Sequence, residues 1–503
     1  SGGVLFWVVG GGAPAAAGGG VVWGCPWGVV GGPARGATQR AGAAPPQGGA
    51  PSMWHTYSPV RGAVVAGDTG DVAGDHYHRY AEDVALLSGL GLDAYRFSTA
   101  WPRVFPEPGA VNRAGLDFYS RLVDSLLERG ISPWLTLYHW DLPQWLQDRG
   151  GWAGRDVVDR FTEYGLTVHQ ELGDRVRNWT TLNEPLCSSL LGYVGGEHAP
   201  GLRDPQAGAS AVHHLLLAHG QAVRALRSAD SAAKVGITLN LTVADPADPA
   251  SLPDAAAARR MDAVHNRMFL DPLFRGSYPE SAADGFARLG AVLPVEPGDL
   301  EAIRGPLDFL GVNYYSGCAV SAEPPAASAA VAAGPALART IDDPFVVVAR
   351  AHTVSRGLPR TGMDWEVQPD GMRRLLERLH AEYTGPAGVP LYVTENGAAY
   401  DDQVGADGSV QDHKRARFIE EHVGAVADAI SGGADVRGYF VWSLLDNFEW
   451  AYGLGKRFGV VRVDFDTFAR TPKLSAARYA KIIRDSRAAH DGSPALDVDE
   501  VAR

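Results

Sequence analysis

Two glutamates carry the chemistry that this chain's residue types make available: Glu184 in RNWTTLNEPL and Glu395 in PLYVTENGA. Each stands where a strand-like apolar run gives way to a polar knot, Asn-Glu-Pro in the first case and Glu-Asn-Gly in the second. Cleavage of an acetal needs one protonated carboxyl group to assist the departing oxygen and one ionised carboxylate to meet the cationic carbon. Glu184 and Glu395 can supply that pair if the fold brings them together. Taken singly, a glutamate at a loop start is more often a solvated residue or a helix cap.

The elements that would position them alternate between apolar runs of strand length and helical patterns, which points to a parallel sheet with crossover helices. DAYRFSTAW at 93–101 reads as one strand and ISPWLTLYHW at 131–140 as the next. Between them Leu116, Tyr119, Leu122, Val123, Leu126 and Leu127 share one helical face, with Gly130 placed to end the helix. RNWTTLNEP, KVGITLNLT, DFLGVNYYS, PLYVTENG and GYFVWSLLDN continue the series to seven strands. An eighth strand near residues 27–38 would close a (β/α)8 TIM barrel. Such a barrel places its chemistry at the C-terminal ends of the strands, where Arg96, His139, Glu184, Tyr315, Glu395 and Trp442 fall.

At 503 residues and 46% hydrophobic composition, with no long polar spacer, the chain is expected to form one catalytic domain over residues 35–487. Residues 1–34 form an atypical Gly-, Ala-, Val- and Trp-rich segment that could supply the first strand, and residues 488–503 a C-terminal tail. A formal charge of −13 disfavours nucleic acid and anionic membranes as partners. Three widely spaced cysteines, Cys25, Cys187 and Cys318, indicate neither a disulfide framework nor a zinc knuckle. The N-terminal segment lacks the basic start of a secretory signal, and VLFWVV is too short to span a membrane, so a cytoplasmic location is expected. Gly10, Gly12 and Ala15 fit a dinucleotide-binding pattern, but Pro14 interrupts the helix that should follow and no carboxylate stands ready for a ribose. His76 and His78 could pair on a metal, yet the hydrolysis in question needs none. His213 and His214 read as structural. The Ala/Pro-rich stretch at 322–338 reads as a variable loop at the barrel mouth.

The strings PSMWHTYS, GDVAGDHYHRYAEDVALL, AYRFSTAWPRV, LTLYHWDLPQWL, WTTLNEP, FLGVNYYS, YVTENGA and GYFVWSLLDNFEWAYG stand in this order between residues 51 and 487. In that set the chain resembles the glycoside hydrolase family 1 β-glucosidases of bacterial type. The resemblance implies a retaining double displacement without cofactor or metal, with Glu395 as nucleophile and Glu184 as acid/base. Arg96 and Tyr315 would keep Glu395 ionised, and Asn183 would reach the sugar 2-hydroxyl. His139 and Glu449 would fix other hydroxyls, Trp442 would support the ring face, and Trp140 and Trp450 would complete the pocket. Asn313 would sit in or behind the wall, and Trp365 would form a platform for the leaving group.

The resemblance also implies a glycone-binding glutamine upstream of PSMW, and Gln39 falls at its spacing, although Arg40 and Ala41 depart from the usual Ile-Glu. The expected substrate is a terminal β-D-glucosyl residue on a small β-glucoside or short β-linked oligosaccharide. Galactosides and fucosides stay open, as does a homo-oligomeric state. Glu449 argues against 6-phosphorylated sugars. Two other readings remain: a sugar-binding barrel left inactive by its abnormal N-terminus, and, more remotely, a nicotinamide-dependent enzyme.

Overall fold

The computed structural model describes residues 30–34, 36, 39, 49–324 and 344–491. Eight parallel strands form its centre: β1 (Val30–Pro33), β2 (Ala94–Ser98), β3 (Ser132–Tyr138), β4 (Asn178–Asn183), β5 (Lys234–Asn240), β6 (Phe309–Asn313), β7 (Leu391–Asn396) and β8 (Val436–Val441). All seven strands read from the sequence are present, and the eighth lies inside the 27–38 window. β1 pairs with β8, Gly31 facing Tyr439 and Gly32 facing Phe440. On its other side the Asp93 N–H donates to Gly31 O at 3.0 Å, and the Gly31 N–H donates to an Asp93 carboxylate oxygen at 3.3 Å. This joins β1 to the residue before β2 and nearly closes the ring. Only glycine fits at position 32, because a Cβ there would lie 2.2 Å from Ala94 O.

Side chains from strands on opposite sides fill the bore. Trp134 of β3 packs on Phe309, Tyr392 and Phe440 with ring centroids 5.3, 4.7 and 5.4 Å apart, contacts that only an enclosed interior allows. A larger apolar layer lies between the strands and the surrounding helices. The helix Arg113–Leu127 shows how it is built: Leu116, Tyr119, Leu122, Val123 and Leu126 are buried. Leu127 corrects the sequence assignment, being 41% exposed, because a residue one step past Leu126 turns about 100° away from the core. Gly130 follows in the left-handed region, at φ 70°, and turns the chain into β3.

A buried ionic cluster braces the C-terminal part of the ring. Arg415 binds Asp402 and Asp412, while Lys473 binds Asp402 and Asp446. Arg457 adds a bond of 2.7 Å to Asp446, and Ser475 Oγ donates to Asp412 at 2.6 Å. The last helix, Leu474–Asp491, runs past the 487/488 boundary drawn from the sequence. Its Tyr479 hydroxyl lies 3.1 Å from Gly32 O and 3.0 Å from Tyr439 O, so it pins β1 against β8. Gly10, Gly12, Ala15, Cys25 and most of 322–338 lie outside the described residues. No described helix is long and apolar enough to cross a membrane.

Candidate active site

Glu184 and Glu395 follow or end β4 and β7, and both strands carry a register irregularity immediately before them. Thr180 pairs with Gly236 but Asn183 with Thr238; Val393 pairs with Val312 but Glu395 with Asn313. In each case one extra residue is inserted, which bends the strand end and re-aims the side chain. Glu184 also sits at φ 49°, an uncommon conformation for a non-glycine residue, held by its N–H donating to Thr238 O at 2.9 Å. Both carboxyl groups face one cavity of about 430 Å³.

A continuous hydrogen-bonded frame joins them. Arg96 donates to Glu395 Oε1 at 2.6 Å and to Asn183 Oδ1 at 2.6 Å. Asn313 Nδ2 lies 3.1 Å from Asn183 Oδ1 and 2.6 Å from Glu184 Oε1. Tyr315 donates to Glu395 Oε2 at 2.7 Å. The two glutamates therefore differ in their partners: Glu395 meets a guanidinium and a phenol, Glu184 an amide and a thiol. Burial, followed by the charge of Glu395, pushes Glu184 up to about 7. Burial raises Glu395 too, but the Arg96 charge and the hydrogen bonds from Arg96 and Tyr315 oppose it. In this coupled pair Glu184 is the carboxyl group with the greater hold on a proton.

Polar atoms without partners among the described residues gather at the cavity wall and just behind it. These are both amide atoms of Gln39, His139 Nδ1 and Glu449 Oε2. Gln39 is 1% exposed, and its Oε1 and His139 Cδ2 would meet the same Cβ at position 36, at 2.5 and 3.0 Å. Their side chains thus share one small space. His139 Nε2 lies 3.3 Å from Asn183 Nδ2, and the imidazole stacks on Trp442 at 5.7 Å and 15°. Burial, aided by Arg96, holds His139 well below its ordinary value, so the ring is neutral. Glu449 is pushed up to about 8 by burial and by its two acidic neighbours. Buried polar groups are normally satisfied, and a patch of orphaned donors and acceptors at a cavity wall is chemistry that a polyhydroxylated ligand could complete.

The remaining residues singled out from sequence occupy the wall or its backing. Trp140, Trp442 and Trp450 line the cavity, but Trp140 Nε1 is committed to Asn183 O at 2.9 Å. Trp140 therefore supports Asn183 and offers only its ring surface. Asn313 stands behind the wall, tied also to Thr394 Oγ1 at 2.7 Å. Trp365 lines the outer part of the cavity, against Tyr315 at 5.3 Å and Phe458 at 6.2 Å. His76 instead binds Asp83 at 2.6 Å and His78 binds Asp75 at 2.6 Å. His213 binds Asp299, and His214 binds the Trp152 carbonyl. No group of three potential metal ligands occurs among the described residues.

Sequence reasoning missed Cys187, Glu197, His198, Asn240, His265 and Tyr452, all of which line the cavity. Asn240 carried a usable signal as the last residue of β5, the position at which other strands present their polar groups. Cys187 lies three residues after Glu184 on the turn that follows NEP, a spacing that returns a side chain to the same face. Glu197 and His198 sit in an irregular connection and Tyr452 ends a single-turn 3-10 helix, and no periodicity points to them.

The sequence profile of Glycosyl hydrolase family 1 matches residues 25–488. Over 464 residues the chain is 44% identical to β-glucosidase A of Thermotoga maritima, covering 92% of this chain and 98% of that protein. It is 49% identical over 439 residues to thermostable β-glucosidase B of Thermobispora bispora, covering 86% of this chain and 85% of that one. The crystal structure of a psychrophilic β-glucosidase from Micrococcus antarcticus superposes with a TM-score of 0.88 at 51% identity, covering 93% of this chain and 98% of that chain.

Proposed function

Because this chain belongs to glycosyl hydrolase family 1, we propose that it is a retaining β-glucosidase with Glu395 as nucleophile and Glu184 as acid/base. The observation that carries the assignment is one cavity faced by two carboxyl groups of unequal proton affinity. In the first step a Glu395 carboxylate oxygen bonds to the anomeric carbon as the bond to the leaving oxygen breaks, and Glu184 gives that oxygen its proton. Esterification removes the charge on Glu395, which lowers the proton affinity of Glu184. Glu184 then takes a proton from water, whose oxygen displaces Glu395 from the anomeric carbon. Two inversions restore the β configuration.

Arg96 and Tyr315 hold Glu395 ionised and aimed. Gln39, His139 and Glu449 take the glycone hydroxyls, Asn183 the 2-hydroxyl, and Trp442 with Trp450 the flat C–H face of the ring. Trp140 and Asn313 support this set, and Trp365 receives an aryl or glucosyl leaving group. Unphosphorylated glycones are favoured, since Glu184, Glu395 and Glu449 share the cavity and no described Lys or Arg lines it. Short cello-oligosaccharides and aryl β-glucosides fit this chemistry, and a role in cellulose breakdown accords with it. The two described cysteines, Cys187 and Cys318, are both free, in keeping with a cytoplasmic setting. A barrel left inactive by its N-terminus is not favoured, because Val30–Pro33 pairs within the ring and Gln39 is buried beside His139.

The test is hydrolysis of an aryl β-glucoside followed by NMR of the first-formed sugar. The β anomer is expected from the parent enzyme, no turnover from Glu395→Gln, and a β-configured glycosyl azide from Glu184→Gln in azide. An α-azide from Glu184→Gln would remove Glu184 from its role.

A further inference from the structure

Beyond the two glutamates, three cavity-lining side chains form a line that ends on one of them. Cys187 Sγ donates to Glu184 Oε2 at 3.2 Å, and the other carboxyl oxygen, Oε1, accepts from Asn313 at 2.6 Å. Beside the sulfur, Asn240 Nδ2 approaches Sγ at 3.9 Å and also bears directly on the Glu184 carboxyl group, opposing its raised proton affinity less than Cys187 does. Asn240 Oδ1 in turn faces His265 Nε2 at 3.4 Å, and the His265 ring stacks on Phe345 at 5.5 Å and 15°. The order of polarity is fixed by the amide: with Nδ2 toward the sulfur, Oδ1 must accept from His265 Nε2–H, and the sulfur, approached by a donor, turns its own hydrogen toward Glu184. With Glu184 ionised, every hydrogen in the line points toward the carboxyl group.

We propose that Cys187, aligned by Asn240 and His265, is a positioning residue that sets when Glu184 changes from acid to base. Asn313 N–H occupies Oε1 in both states, so the transferable proton resides on Oε2, the oxygen beside the thiol. A thiol is a weak donor and a weak acceptor. It can donate to Oε2 when Glu184 is ionised and accept from Oε2–H when it is protonated, so it favours the carboxylate moderately without locking the proton in place. A stronger, fixed donor would hold Glu184 ionised and spoil the first step; no donor would leave it too reluctant to ionise for the second. The other titratable or charged groups acting on this pair are Glu395, Glu449, Tyr315 and Glu197. None of them is altered by a change at Cys187 or Asn240.

The inference rests on Glu184 being the acid/base, and the experiment separates the two. The pH profile of kcat/KM for an aryl β-glucoside with a poor leaving group is compared for the parent enzyme, Cys187→Ala, Cys187→Ser, Asn240→Leu and Glu184→Gln. Loss of the thiol donor raises the proton affinity of Glu184, so the alkaline limb of Cys187→Ala should move up by about half a pH unit, with Asn240→Leu moving the same way by less. Cys187→Ser restores a donor and should return the limb to its parental position or below. An unmoved limb in Cys187→Ala, or equal shifts in the Ala and Ser variants, overturns the role of the thiol. Full activity in Glu184→Gln would instead overturn the assignment of Glu184 on which it stands.

Discussion

The cluster of Asp402, Asp412, Arg415, Asp446 and Lys473 and the polar patch of Gln39, His139 and Glu449 at the cavity wall both hold polar atoms away from solvent. In the cluster each charge meets an opposite one, and the Ser475 N–H takes up the other Asp412 carboxylate oxygen. On the wall, both atoms of one amide, one imidazole nitrogen and one carboxyl oxygen have no partner among the described residues. Burial alone therefore does not separate structure from function here; completeness does. A satisfied cluster stabilises its own geometry, whereas an unsatisfied wall holds free energy that only an arriving ligand can recover.

The contrast can be broken most sharply at Glu395. Glu395→Gln should reduce turnover on the order of 10⁵-fold with a smaller loss of melting temperature than Lys473→Met, because the amide oxygen still accepts from Arg96, as activity assays and calorimetry would register together. A large loss of stability would place Glu395 with the structural cluster instead. Next in size is Lys473→Met, which strands Asp402 and Asp446 without their shared cation. It should cost about 3–5 kcal/mol in denaturant unfolding and leave KM of the remaining folded enzyme unaltered. Gln39→Ala should do the opposite, lowering kcat/KM by about 10- to 100-fold with no loss of unfolding free energy, because in the empty enzyme it removes two unsatisfied buried atoms.

The smallest effect concerns pH. Glu184 and Glu449 are raised from 4.5 to about 7 and about 8. A carboxyl group whose folded value is raised contributes stability that is complete below its unfolded value and is lost as pH climbs through the folded one. The melting temperature of the sugar-free enzyme should thus decline from about pH 5 to 8, and Glu449→Gln should flatten the slope. A melting temperature that rises over this interval in the parent enzyme would contradict the raised values.

Much of the positioning frame was legible because it depends on local pattern. Strand-length apolar runs ending in Arg96, His139, Glu184, Tyr315 and Glu395 read directly onto β2 to β7 and the residues that follow them. The window for β1 was also recoverable, from the need to close the ring rather than from its weak local pattern. What stayed hidden depends on register between distant segments. The inserted residues before Glu184 and Glu395 exist only relative to β5 and β6, so no reading of β4 or β7 alone contains them. Leu127 failed for a simpler reason, since a hydrophobic residue next to a buried one need not share its face. The His265, Asn240 and Cys187 line draws on two separate helical segments and a strand end, and the buried ion cluster likewise gathers charges from separate parts of the chain.

The clasp that Tyr479 makes on Gly32 and Tyr439 reaches past architecture. It lets the last helix act as a splint for the strand that leads to Gln39, so under the role proposed for Gln39 the grip on sugar would depend on a helix at the far end of the chain. Fraying of that helix on warming would loosen the sugar's anchor before the rest of the ring comes apart, and the first symptom of thermal damage would be poorer affinity in an enzyme that is otherwise still folded.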